Sequence, residues 1–123
     1  MSDELKIDVL FEEESADQVI ILLEETDAQK VKNLKQQGFV GVESIVVAIL
    51  VIQALVNFLI KLIQIWNVGV TVDVRGARVK VSRESDLPRG TILIISAKGV
   101  ETKLNQPSGF DLLAFIKTAF SKD

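Results

Sequence analysis

The chain is 123 residues long and 48% hydrophobic, with a net charge of −3 and no cysteine, histidine or tyrosine. One domain covering 1–123 suits that length, and the apolar content excludes an intrinsically disordered chain. Without cysteine and histidine there can be no disulfide framework, no metal site built on those ligands and no Ser–His–Asp arrangement. A non-enzyme with no metal and no cofactor is expected.

Leu5, Ile7, Val9 and Phe11 alternate with Lys6 and Asp8, which predicts a first strand with one buried face. The opening, MSDELKIDVL, is acidic rather than basic ahead of any apolar run, which argues against a signal peptide. After Glu12, Glu13 and Glu14, the tetrad Ser15-Ala16-Asp17-Gln18 reads as a capping box. It opens a helix to about Glu25 that buries some of Val19, Ile20, Leu22 and Leu23. A second, short helix is expected from Asp27, with Val31 and Leu34 inward and Gly38 as its stop.

Val42 to Trp66, VESIVVAILVIQALVNFLIKLIQIW, predicts one long helix of roughly 36 Å at about 1.5 Å per residue. Gln53, Asn57, Lys61 and Gln64 fall on one narrow stripe of it, and the remaining surface is aliphatic. Such a helix must be covered by protein or by lipid. Lys61 and three amides interrupt its second half, and a lysine at mid-span costs about 2.5–3.5 kcal/mol on insertion scales. The expectation is therefore a central helix packed on a sheet, with its polar stripe at one edge. The alternative is a membrane-acting effector that inserts 42–66, and in a third reading Asn57 and Lys61 face a partner helix.

Beyond Asn67 the period changes from 3.6 to 2. Val68, Val70, Val72 and Val74 form one strand, Arg75-Gly76 turns, and Ala77, Val79 and Val81 return as its partner. Ser85 to Gly90 reads as a turn-rich connection. Thr91 to Ala97 is apolar on both faces, the pattern of a central strand. Lys98-Gly99 turns into Val100, Thr102 and Leu104, and Ser108 with Asp111 opens a final helix whose inward stripe is Leu112, Leu113, Phe115, Ile116, Ala119 and Phe120. The resulting fold class is α+β: one mostly antiparallel sheet packed against a long central helix and two or three shorter helices.

Charge is unevenly spread. Residues 1–27 hold ten acids against Lys6 alone, a net of −9, whereas 28–123 hold thirteen Lys and Arg against seven acids, a net of +6. The candidate interaction surface is therefore Arg75, Arg78, Lys80 and Arg83 on the first hairpin, together with Glu12, Glu13 and Glu14 in the acidic head. Arg78 and Lys80 should project together, opposite Val79. Copies could meet head to tail through these opposite charges, or head and hairpin could be neighbours within one molecule. The glutamates lack the spacing of a calcium loop, and a solvated acidic turn is the simpler reading. The hairpin has no aromatic residue and the chain is acidic, which argues against nucleic acid. Ser96 has no Gly-x-Ser-x-Gly around it, and Gly38 and Gly41 have no Gly-Lys-Ser/Thr after them, so both read as structural.

A first strand, a capped helix, a long aliphatic helix ending near Trp66, strands with a Lys98-Gly99 turn and a final helix opening at Ser108 together resemble the effector-associated constant component family. These are small non-catalytic domains of bacterial conflict and antiphage systems. The resemblance covers most of the chain at the level of pattern. The chain departs from it in lacking a glycine-rich start to the long helix and in carrying an extra hairpin from Val74 to Arg89. The resemblance implies an adaptor that couples a sensor or NTPase to an effector through domain contacts, with no catalytic residues. The expected function is thus a cytoplasmic protein-interaction or assembly module, whose partner is another protein or a second copy of itself.

Overall fold

The computed structural model describes residues 4–12, 16–26, 28–35 and 43–120. Within these residues seven strands form one sheet: β1 (Glu4–Glu12), β2 (Gln29–Lys35), β3 (Glu43–Val51), β4 (Val68–Asp73), β5 (Val79–Pro88), β6 (Thr91–Ile95) and β7 (Glu101–Asn105). Three helices accompany it: α1 (Ala16–Glu25), α2 (Ile52–Ile65) and α3 (Gly109–Ala119). The sheet order is β2-β3-β1-β5-β4-β6-β7.

The α+β class holds, but the sheet is mixed rather than mostly antiparallel. β1–β5 and β4–β6 are parallel, and the other neighbouring pairs are antiparallel. Alternation along one strand cannot reveal this, because the direction of a strand's neighbour is a property of the partner's position in the chain.

The expected long helix is instead a strand followed directly by a helix. β3 takes Glu43–Val51, and α2 is 14 residues long. The division follows side-chain shape. Ile45, Val46, Val47, Ile49 and Val51 crowd β-branched residues into the first half, where χ1 stiffness favours a pleated strand. Ala54, Leu55, Phe58, Leu59 and Leu62 dominate the second half, and all five are buried. The polar stripe survives within α2: Gln53, Asn57 and Gln64 are exposed, and Lys61 is half-buried. Among the described residues no helix is long and apolar enough to cross a membrane, which does not favour insertion of 42–66. The short helix expected from Asp27 is strand β2, at the edge of the sheet.

All three helices lie on one face of the sheet. α1 and α2 touch, as do α2 and α3, and Val19, Leu23, Leu55, Phe58, Leu62, Leu112 and Ile116 share one core with Ile7, Val9, Val72, Val81, Ile92 and Ile94. Full burial of each such side chain contributes about 1.5–3 kcal/mol. α1 ends at Thr26, whose buried hydroxyl donates to the carbonyls of Leu22 and Leu23 at 3.0 Å. α3 begins as expected, with the Ser108 hydroxyl accepting the Asp111 N–H at 3.1 Å. The Ser15 capping box lies outside the described residues.

One irregularity shapes the other face. β4 pairs Val68 with Pro88 but Gly69 with Glu84, so Ser85, Asp86 and Leu87 are extra on β5. The connection expected at Ser85–Gly90 is therefore mostly strand and bulge, and Leu87 folds back over Gly69.

Candidate interaction surface

Opposite the helices, the central strands present a face on which no described helix packs. One register row crosses it from β3 to β7: Val47, Asp8, Lys80, Asp73, Ile95, Glu101. Cross-strand partners share a face, so the row sets a charged centre between aliphatic flanks. Ile49 on one side and Leu93 on the other extend those flanks, both half-buried.

Two arginines close on the carboxylates of this row. Arg78 donates through Nε at 2.8 Å and reaches with Nη2 to 2.7 Å, both to Asp8 Oδ1. Arg75 grips Asp73 with both ends of its fork, Nε to Oδ1 at 3.0 Å and Nη2 to Oδ2 at 2.7 Å. Its backbone N–H also donates to Asp73 Oδ1 at 3.0 Å, which closes the turn after β4. The Arg75 hydrogen bond holds the Asp73 carboxyl below its ordinary value of 3.8 against the opposing effect of burial, and Asp73 in turn raises Arg75. Lys80 stands between the two aspartates in register, so five charges alternate in sign across three strands.

The structure thus brings Arg75, Arg78 and Lys80 together, with Arg78 and Lys80 on the face opposite Val79 as the alternation requires. It does not include Arg83 with them. Arg83 pairs with Val70 across β4 and so belongs to the helix-bearing face. Arg89 lies at the far end of the hairpin, where Nη2 donates to the Gln64 carbonyl at 2.6 Å near the C-terminus of α2. Glu12 is the last residue of β1, roughly 13 Å along the strand from Asp8, and Glu13 and Glu14 lie outside the described residues. The acid that meets the hairpin is Asp8. Head and hairpin are therefore neighbours within one molecule at that point.

Asp8 and Asp73 are the acidic partners of this cluster that reading the sequence missed. Asp73 left a local signal in its two-residue spacing to Arg75. Asp8 left none, because its partner is 70 residues away. Ser96 is structural, its hydroxyl accepting the Val100 N–H at 3.0 Å in the turn before β7. A separate cleft of about 610 Å³ runs beside the polar stripe of α2, with Lys61 Nζ 3.4 Å from Glu25 Oε2 at its rim. Among the described residues no group of His, Cys, Asp and Glu could hold a metal ion.

No protein-family model, no curated protein and no solved structure matches this chain.

Proposed function

We propose that the chain is a non-catalytic protein-interaction or assembly module, acting in the cytoplasm as an adaptor of the kind its sequence pattern resembles. One observation carries the reading. Among the described residues the sheet has helices on one side only, and its other side sets half-buried aliphatic residues around a row of alternating charges. A purely solvated face would alternate apolar-in with polar-out. Val47, Ile49, Leu93 and Ile95 break that rule in the manner of an interface core with a charged, orienting centre.

Flotation on phospholipid vesicles, paired with sedimentation velocity with and without detergent, tests the reading against the membrane-acting alternative. A module stays out of the floating fraction and sediments as the same discrete species in both buffers. Co-flotation, or aggregation relieved by detergent, would overturn the module reading.

A further inference from the structure

β7 is an edge strand whose hydrogen-bonding register is fixed at both ends. Ser96 N–H donates to the Val100 carbonyl at 2.9 Å, and Gln106 N–H donates to the Gly90 carbonyl at 2.8 Å. With the pairing Ile94–Thr102 and Ile92–Leu104 between them, the even-numbered residues bond to β6. Glu101, Lys103 and Asn105 therefore direct their backbone N–H and C=O groups away from the sheet, along an edge on which no described strand pairs. Such an edge is a template for another strand unless something deters pairing.

Edge charges usually supply the deterrent, but an acid and a base on one edge can also discriminate between registers. Two antiparallel copies of β7 related by a two-fold axis can pair their outward residues in three central registers. Glu101 opposite Glu101, or Lys103 opposite Lys103, places like charges face to face. The remaining register sets Glu101 opposite Lys103 twice, and no like charges are directly opposed. It also sets Val100, 61% exposed, opposite the half-buried Leu104 of the other copy, with Thr102 facing Thr102 on the axis. Among the described residues no salt bridge already engages Glu101 or Lys103.

The helix-bearing side of this edge adds apolar surface. A recess of about 310 Å³ lies between α3 and the β6–β7 end, lined in part by Val100, Thr102 and Phe115. Phe115 is 43% exposed, and Phe110, at the start of the same helix, is 82% exposed. Because Thr102 both lines the recess and sits on the axis, the recesses of two copies would meet there. Main-chain groups, side-chain charge and apolar surface all favour one arrangement.

We infer that the occupant of the β7 edge is a second copy of this chain, forming a two-fold dimer whose sheets join through antiparallel β7 strands with Glu101 opposite Lys103. The inference rests on the assembly reading above and specifies its contact. The dimer is isologous and closed, so it does not propagate into filaments.

Sedimentation velocity over a wide concentration series, with charge swaps, tests it. Glu101→Lys and Lys103→Glu should each weaken dimerisation by on the order of tenfold or more, since each turns two attractions into two repulsions. The double swap should restore the dimer, and mixing the two single variants should yield a heterodimer in which both cross-strand pairs are complementary. Register is tested by cross-linking, because the chain has no cysteine of its own. Thr102→Cys places two thiols on a directly opposed pair with Cα atoms about 4.5 Å apart, within disulfide reach. Val100→Cys places them roughly 14 Å apart along the strands, out of reach. A dimer that responds to the swaps and cross-links at Thr102→Cys but not at Val100→Cys is expected. A monomer at every concentration, a dimer indifferent to the swaps, or equal cross-linking at both positions would overturn this contact. None of these three failures makes the protein float with vesicles, so the module reading fails separately.

Discussion

Gly69→Ala should destabilise the protein, and its size follows from two distances. A Cβ at Gly69 would stand 2.3 Å from Leu87 Cβ and 2.9 Å from the Thr91 carbonyl oxygen. Leu87 belongs to the bulge and can shift. The Thr91 carbonyl cannot shift easily, because β6 is held between β4 and β7. Overpacking of this kind costs about 1–3 kcal/mol, and the backbone contact puts the expectation at about 2–3 kcal/mol. For a domain of this size that is a fall in Tm of about 8–12 °C. Trp66, the single tryptophan and only 3% exposed, reports unfolding by fluorescence in a urea titration. Leu87→Ala keeps its Cβ and should give no relief, whereas Leu87→Gly removes the nearer clash. The Gly69→Ala/Leu87→Gly pair should therefore be less destabilised than the sum of the two single changes. Gly69→Ala within about 0.5 kcal/mol of wild type would refute the account of the bulge, since that is the ordinary scatter of a harmless substitution.

Among the described residues the buried Thr71 hydroxyl has no hydrogen-bond partner, so Thr71→Val should raise stability by about 1 kcal/mol, and a loss on urea unfolding would show the hydroxyl to be satisfied. A double-mutant cycle of Asp8→Asn with Arg78→Gln should give a coupling of about 0.5–1 kcal/mol at low salt, shrinking as salt rises. A coupling of zero would mean that the 2.7 Å contact is not populated in solution. The Asp73 carboxyl is held lower in the folded protein than in the unfolded chain. Its contribution is therefore present above the unfolded pKa and lost as pH falls through the folded one. Urea midpoints of wild type and Asp73→Asn should converge as the solution is acidified below the ordinary value of 3.8. Parallel curves through that range would contradict the assignment.

Local pattern carried the elements whose partners are close in sequence. The β4–β5 and β6–β7 hairpins, α1 and the Ser108-capped α3 all follow from alternation, turns and caps within a few residues. Val42–Trp66 misled because an aliphatic run without glycine or proline satisfies either period. What separates β3 from α2 is the density of β-branching before Ile52, not the hydropathy. β2 hid behind the same ambiguity, since Val31 and Leu34 are three apart and fit one helical face. The candidate surface was half legible. Strand parity places Arg78 and Lys80 together, while Arg83, of opposite parity, shares with them only its nearness in sequence. The balancing role of Asp8 was out of reach, because nothing near Asp8 announces a parallel neighbour 70 residues on.

That distant neighbour has a consequence for how the chain folds. β1 to β3 occupy 4–51 and β4 to β7 occupy 68–105, and in the sheet each block is contiguous. A single strand pair joins them, Ile7–Leu10 against Val79–Ser82. Each block closes within its own residues, the first across the span from Glu12 to Glu43 and the second over the turns at 74–78 and 96–100. The join brings together residues about 70 apart in sequence, so it follows the two blocks, with α2 as the chain left between them. The sheet is therefore two early-forming halves with one late closure. Under native conditions the amides of 7–10 and 79–82 should exchange together, as the line along which the two halves part.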